Sequence, residues 1–251
     1  WLIRDPDSRR AQRTRELFDR GPRSFLDMQS PLFDHAVPEA EPAVDFLLEA
    51  AADHPKLVRA GHADLPAALD DLAEWDQTAS ADSTAMTWYH IWNNLNARLV
   101  KRLDRIPDKE LLQATAIRAA SDASRLLVNT YQTAFVPWGD VHVLRRGDRD
   151  LPLSGAGTGD PIFRSGDTAY TDGKWVADFG YAYAMIVQFT DPPASISLVP
   201  FGASDRPESP HFSDQMTLLS ERRMKILHTA RNDVFRSAVS ARGTLLEFVD
   251  H

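Results

Sequence analysis

The chain contains no cysteine, so a disulfide framework, a thiolate zinc site and a cysteine nucleophile are all excluded. This absence is neutral between the cytoplasm and the periplasm. No apolar run approaches the roughly 20 residues that a bilayer span requires, so we expect no membrane insertion. The 28 Lys and Arg residues are interspersed among 36 Asp and Glu residues, and the formal net charge is -8. Without basic runs, nucleic acid is not an expected partner.

An initiator Met and a signal-peptide pattern are also missing, because the sequence starts at Trp1. This start predicts a fragment or a processed product of a longer polypeptide. The 251 residues, of which 43% are hydrophobic, suffice for a sizeable core. Length alone allows one large domain or two smaller ones.

Helical spacing dominates residues 1–136, where Leu, Ala, Phe and Trp recur every three or four positions between Pro and Asp. The pattern predicts helices over residues 7–20, 43–53, 65–75, 83–103 and 108–131. Asp108 is a predicted N-cap, because its carboxylate can accept a free N–H of the first turn.

Residues 137–251 have a different pattern, with short apolar runs separated by Gly, Pro and Asp. Strands are predicted over residues 141–144, 173–179, 182–189 and 195–201, and a short helix over 213–222 precedes a polar tail. Helices followed by strands, rather than a strict alternation of the two, favour an α+β fold.

Two patterns that could bind ligands have simpler explanations. The glycine-rich segment from Gly155 to Asp160 is followed by Pro161 and strand-like residues, not by the helix that a phosphate-binding loop requires, so a plain turn is favoured. The eight His residues show no spacing typical of a metal site, and we expect no zinc.

Nucleophilic and acid–base chemistry is not identifiable from local motifs. The sequence does not rule out a Ser-His-Asp triad, because its members need not be adjacent, but there is no G-x-S-x-G motif. The nearest match, the run from Gly202 to Asp205, lacks the closing Gly. Paired carboxylates cannot be picked out among scattered Asp and Glu. Trp88, Tyr89 and Trp92 could form the floor of an acyl pocket, although core packing at helical spacing is favoured.

Several separated motifs resemble one family in family order. The segment from Phe201 to Gln215 reads FGASDRPESPHFSDQ and resembles the C-terminal signature of the penicillin acylase family, a Gly-x-Ser loop leading to Ser-Pro-His-aromatic-x-Asp-Gln. WGDVH at 138–142 and LPLSG at 151–155 resemble the acylases of acyl-homoserine lactones and lipopeptides. LAEWD at 72–76 and AQR at 11–13 also resemble family segments, so the resemblance runs from about Arg4 to Asp233.

The resemblance implies part of an N-terminal-nucleophile (Ntn) hydrolase αββα sandwich, in which 1–136 is the helical region and 137–251 the strand-rich region of one domain. It implies hydrolysis of a small N-acyl amide by the N-terminal Ser of the β subunit. Trp1 is not that Ser, so the nucleophile would lie outside this chain. The implied partners are the α subunit and the nucleophile-bearing N-terminal part of the β subunit, and the implied location is periplasmic or secreted. A non-catalytic acylase-like scaffold or binding module is the alternative.

The resemblance places one residue near the chemistry, Arg13, which would position active-site groups electrostatically. A surface ion pair is the competing interpretation, because Arg9, Arg10 and Arg15 crowd the same segment. No cofactor is implied. The family has a structural calcium that Asp5 or Asp7 could approach, but neither is assigned to it.

Structural expectations also follow for the signature residues and for the late strands. His211, Asp214 and Gln215 are expected to be structural, with Ser209-Pro210 as N-cap and first-turn pair and Asp214 in the first turn of the closing helix. Six apolar strand residues are expected to be partly exposed in the isolated chain and to make it associate or dissolve poorly: Met185, Ile186, Val187, Ile196, Leu198 and Val199.

Overall fold

The computed structural model describes residues 7–21, 23–103, 107–157 and 159–237, with only the backbone described for 167–169 and 237. A 3-10 turn (Leu26–Met28) lies between the first two α-helices. The helices described are α1 (Arg9–Phe18), α2 (Gln29–Leu32), α3 (Ala40–Asp53), α4 (Pro55–Ala60), α5 (Leu65–Ala73), α6 (Thr84–Lys101), α7 (Lys109–Tyr131), α8 (Trp138–Val141), α9 (Met216–Ser220) and α10 (Arg231–Ser237).

Side-chain caps explain why the longer helices begin where they do. The Asp108 carboxylate accepts a hydrogen bond from Leu111 N at 2.8 Å, which confirms the predicted N-cap of α7. The Ser83 hydroxyl caps α6 in the same way, by accepting from Met86 N at 3.1 Å. α7 ends where Gln132 adopts a left-handed conformation, with φ of 65°.

Seven strands form two sheets in the described part of the chain: β1 (His142–Arg146), β2 (Arg149–Pro152), β3 (Gly166–Thr171), β4 (Lys174–Phe179), β5 (Ala184–Gln188), β6 (Ala194–Leu198) and β7 (Lys225–Leu227). The first sheet has the order β2-β1-β4-β3 and the second the order β5-β6-β7. All neighbouring strands are antiparallel except β1 and β4, which are parallel. Helices followed by mainly antiparallel strands confirm the α+β fold.

Some elements were missed although the sequence carried a signal for them. β3 and β4 are joined by Asp172-Gly173, both with positive φ (54° and 77°), and Asp-Gly is a strong hairpin signal. Helix α4 starts at Pro55, a favoured first helical residue. The expected strand over 141–144 starts one residue late, since Val141 ends α8, and the expected strand over 195–201 ends at Leu198.

The helical core contains most of the largest buried side chains. Trp88, Tyr89 and Trp92 are each at most 3% exposed, so these rings form core and not an open pocket floor. The Trp88 Nε1–H donates to Ser124 Oγ on α7 at 3.1 Å, and the Trp92 Nε1–H donates to the Ala116 carbonyl at 3.1 Å. These bonds satisfy the indole donors and fix how α6 packs on α7.

An aromatic cluster, which we call the junction cluster, joins the helices to the first sheet: the buried His90 on α6, Trp138 on α8 and His142 on β1, and the partly buried Trp175 on β4. The Trp138 ring stacks on His142 at 4.5 Å between centroids and lies 5.0 Å from His90. The Trp138 indole N–H donates to the Gly155 carbonyl at 2.8 Å. A second apolar core lies under the strands and includes Phe33, Phe163, Leu198 and Met216.

The exposure expected for the late strands is only partly observed. Ile196 and Leu198 are 2% and 0% exposed, so the expectation that they are exposed was wrong. Both lie on β6, the central strand of the second sheet, and Leu198 packs into the second core with Phe33 and Met216. The outer edge of β6 is paired with β7, an element that sequence analysis did not predict. Met185 on the edge strand β5 is 51% exposed, and Phe189 just beyond that strand is 94% exposed.

Candidate functional site

Arg13, the residue that the resemblance singles out, forms a two-pronged ion pair with Asp34. Its Nε donates to Asp34 Oδ2 at 3.0 Å and its Nη2 donates to Asp34 Oδ1 at 2.8 Å. This fork-to-fork arrangement is the strong geometry of an arginine–carboxylate pair. The hydrogen bonding that Asp34 accepts raises the pKa of the Arg13 guanidinium above its ordinary value, so Arg13 is a fixed cation at any working pH.

The other arginines of this segment make different contacts, which separates the two interpretations of the sequence. Arg10 contacts the segment around residue 160. Its side-chain Nη2 donates to the Ile162 carbonyl at 2.8 Å, and its backbone N–H donates to Asp160 Oδ2 at 3.1 Å. Arg15 pairs with Asp7. Arg13 is therefore in an ion pair, as the surface interpretation expects, but one that reaches a different segment of the fold.

A shallow depression of about 310 Å³ lies beside Arg13. Its wall combines Arg13 and Gln12 from α1 with carboxylates of Glu41 and Asp76 and the apolar Val37. The mixed charge makes it a polar surface that could receive hydrogen-bonding groups of another polypeptide or of a ligand. Asp34, the residue that holds Arg13, carried no local signal in the sequence because it lies 21 positions away.

The signature segment, residues 201–215, is a structural clip. Gln215 is 3% exposed, and its side-chain Oε1 accepts from Val199 N at 3.1 Å. The backbone N–H of Gln215 donates to the Phe201 carbonyl at 2.9 Å. A Cβ on Gly202 would collide with the His211 carbonyl, so the chain can close here only with glycine. Gln215 of the motif thus provides hydrogen-bond partners for the backbone groups of Val199 and Phe201, which follow β6.

The helix that the signature was expected to start is shorter than predicted. α9 begins at Met216 with Gln215 as its N-cap, so the expectation of a Ser209-Pro210 helix start was wrong. Asp214 precedes the helix and is not in its first turn; its Oδ2 lies 2.9 Å from His211 Nδ1. The reason is that Ser209 and Pro210 belong to a hydrogen-bonded turn, in which Phe212 N donates to the Ser209 carbonyl at 3.1 Å.

Two arginines of the β1–β2 hairpin hold this clip against the first sheet. The Arg146 guanidinium lies 4.3 Å from the centre of the Phe212 ring and 5.0 Å from that of Phe201. Arg149 donates to the Ser213 carbonyl at 3.1 Å. These contacts join the hairpin between the WGDVH and LPLSG motifs to the signature segment.

An apolar cleft of about 350 Å³ opens near the second core, between Leu153, Phe163 and Phe201, with Arg164 and Asp178 among its polar residues. Among the described residues, no three His, Asp or Glu side chains come together as a metal site. None of the helices in this part of the chain combines the length with the hydropathy that a bilayer span needs. Asp7 is paired with Arg15, while Asp5 lies outside the described residues.

This chain is similar to known acylases. The penicillin amidase family model matches residues 3–236. Acyl-homoserine lactone acylases PvdQ from two pathovars of Pseudomonas syringae, syringae and tomato, are 32% identical over 120 residues and 31% identical over 117. Each match covers 45% of this chain and 15% of the relative.

A solved thermostable penicillin G acylase from Alcaligenes faecalis aligns with 98% of this chain and 53% of its own length, at 15% identity and a TM-score of 0.45. This chain thus spans about half of that solved chain and a smaller share of the curated relatives. The family model extends from before α1 into α10 and includes both Arg13 and the clip at residues 201–215. The chain belongs to the penicillin amidase family.

Proposed function

We propose that this chain is the C-terminal part of an N-acyl amide hydrolase whose nucleophile, the N-terminal Ser of the β subunit, lies in polypeptide outside this chain. The observation that carries the proposal is the family match over residues 3–236. The fixed cation at Arg13 supports it, because a guanidinium held by a partly buried carboxylate is suited to act on charge in a neighbouring site. The names of the curated relatives favour an N-acyl homoserine lactone type of substrate.

In the proposed reaction, the free α-amino group of the N-terminal Ser, with an ordinary pKa of about 7.7 to 8.0, takes the proton of its own hydroxyl. The hydroxyl oxygen attacks the amide carbonyl, an acyl ester forms, and the C–N bond breaks as the amine leaves with a proton. Water then attacks the ester and releases the acid. Arg13 contributes positive charge that orients active-site groups and favours the developing oxyanion.

The proposal extends to partners and location. The chain would pack against the α subunit and the nucleophile-bearing N-terminal part of the β subunit, and the complete protein would be periplasmic or secreted. We also propose that residues 1–136 and 137–251 are regions of one domain. The junction cluster supports this, since Trp138 and Trp175 pack into the same core as the α6 and α7 side chains.

The isolated chain should not hydrolyse any amide, whereas the complete protein should. The chain would be expressed in two forms, alone and together with the preceding polypeptide. Each preparation would be incubated with N-decanoyl-homoserine lactone and with a phenylacetyl amide, and the release of free amine would be measured. Replacing the N-terminal Ser of the β subunit by Ala is the control and should abolish turnover. If the complete protein with its Ser intact releases no amine from either probe, the scaffold or binding-module function replaces the enzyme.

The isolated chain should also self-associate through its exposed apolar strand residues. Met185 is 51%, Phe189 94% and Ile226 66% exposed, all on or beside the outer strands of the second sheet. Such edges pair readily with other chains. Light scattering should show association that decreases on Phe189→Lys, while Leu57→Lys, at an exposed site on α4, serves as the control. A monodisperse monomer of 28.1 kDa would contradict this expectation.

A further inference from the structure

Asp34 holds the Arg13 guanidinium in one orientation, and this arrangement suggests a role for a residue that no sequence motif marks. We propose that Asp34 is a positioning residue that aims the Arg13 cation at the active site of the complete enzyme. This inference rests on the proposed function, in which Arg13 supports catalysis. It adds a second residue, acting through the first, on a different segment of the chain.

The geometry restricts Arg13 to one plane. Because Nε and Nη2 both donate to the two oxygens of one carboxylate, the guanidinium can neither rotate nor slide without losing a bond. The Arg13 side chain is 23% exposed and that of Asp34 14%. The remaining nitrogen, Nη1, lies 3.4 Å from Oε2 of Glu16, a side chain that is 61% exposed.

Asp34 is itself held by the fold. Its backbone carbonyl accepts from Phe163 N at 2.7 Å, and the neighbouring Phe33, which is 5% exposed, packs edge-on against the Phe163 ring at 5.3 Å. Residues on its other side bridge to residues near Thr78, where Val37 N donates to the Gln77 carbonyl at 2.8 Å. The carboxylate therefore lies on a support fixed from two directions.

The helix that carries Arg13 is fixed to the same support. Arg10, one turn earlier on α1, donates to the Ile162 carbonyl, next to Phe163. The Tyr181 hydroxyl donates to the carbonyls of Ile162 and Leu32 at 3.1 and 2.7 Å. Both partners of the pair are thus anchored to the same segment at Ile162 and Phe163, which gives Nη1 a defined position. A preorganised cation needs no reorganisation when charge develops in the transition state.

The chain offers a matched control for a purely structural pair. Arg145 and Asp150 on the β1–β2 hairpin form the same two-pronged pair, with Nε–Oδ1 and Nη2–Oδ2 distances of 2.6 and 2.8 Å and side chains 25% and 23% exposed. Asp150→Asn removes the same charge from the same kind of pair. Comparing it with Asp34→Asn separates an effect on stability from an effect on the reaction.

The test uses the complete enzyme and N-decanoyl-homoserine lactone, with kcat, KM and the melting temperature measured for each variant. Asp34→Asn should lower kcat roughly tenfold with KM nearly unchanged, because the cation remains but loses its aim. The loss should largely vanish in an Arg13→Ala background, where there is no cation to aim. Asp150→Asn should leave kcat unchanged. The double variant Arg13→Asp/Asp34→Arg, in which the two charges are exchanged, should have a higher melting temperature than either single variant, but its kcat should stay low.

Different outcomes reject different statements. A wild-type enzyme without turnover, or an Arg13→Ala variant with normal kcat, rejects the role of Arg13 in the proposed function and the present inference with it. A reduced kcat for Arg13→Ala together with a normal kcat for Asp34→Asn rejects only the positioning role. So does a kcat loss for Asp34→Asn that persists undiminished in the Arg13→Ala background, or full recovery of kcat by the exchanged pair.

Discussion

The chain should lose stability steeply as the pH is lowered from 6.5 to 4. Burial, together with a smaller contribution from the neighbouring His142, lowers the pKa of His90 from its ordinary 6.5 to about 4. Burial likewise lowers the pKa of His142 to about 4. Both rings belong to the junction cluster, so their protonation would act on the contact between α6 and the first sheet.

The sign follows from proton binding in the two states. The unfolded chain takes up a proton on each histidine near pH 6.5, whereas the folded chain does so only near pH 4. Between these values the unfolded state binds more protons, so the free energy of unfolding falls as the pH falls. Each pH unit corresponds to about 1.4 kcal/mol, so the loss across the window is on the order of 3 kcal/mol per histidine.

Urea unfolding at low chain concentration, followed by tryptophan fluorescence at several pH values from 7 to 4, measures this loss. His90→Phe should flatten the pH dependence, because it keeps a ring against Trp138 and Trp175 but cannot take up a proton. His228→Gln, at an exposed site, is the control and should leave the slope unchanged. A free energy of unfolding that stays constant from pH 6.5 to 4.5 would contradict the buried neutral state of both rings.

Trp138→Ala should remove most of the stability of the fold. The side chain is fully buried, stacks on His142 and donates to the Gly155 carbonyl. Truncating a buried Trp costs about 3 to 5 kcal/mol through lost burial and the cavity left behind. The orphaned carbonyl adds a further penalty of about 1 to 3 kcal/mol. Because domains are stable by only about 5 to 15 kcal/mol, we expect a largely unfolded or strongly destabilised variant.

Calorimetry or thermal fluorescence would measure this effect in parallel with two comparison variants. Trp138→Phe keeps a ring in the cluster but loses the indole N–H, and should have an intermediate melting temperature. Tyr183→Ala, at a side chain that is 53% exposed, should change the free energy of unfolding by less than about 0.5 kcal/mol. A melting temperature of Trp138→Ala close to that of the wild type would show that the junction cluster is not a main source of stability.

Both effects have consequences for the proposed site. The junction cluster ties the helices to the first sheet, and the β1–β2 hairpin of that sheet holds the clip at residues 201–215 through Arg146 and Arg149. α1 and Asp34 are hydrogen-bonded to the backbone of Ile162 and Phe163 in the same chain. Loss of the cluster should therefore affect function through the loss of the support and not through direct chemistry.

Much of the secondary structure could be predicted from the sequence where the signal is local. The helices α5, α6 and α7 follow from apolar spacing, and Asp108 caps α7 because both partners of that bond lie within three residues. The Asp172-Gly173 hairpin also had a local signal, although it was not recognised. β7 has no such signal, since its three residues become a strand only by pairing with β6.

The candidate site divides in the same way. Ordered motifs such as the segment from Phe201 to Gln215 identify the family without knowledge of the fold, because a motif is a property of neighbouring residues. That Asp34 holds Arg13, and that burial lowers the pKa of His90 and of His142, became evident from the packing of the folded chain. The physical reason is that hydrogen bonding across 21 positions and removal from water depend on how distant segments pack, which neighbouring residues do not specify.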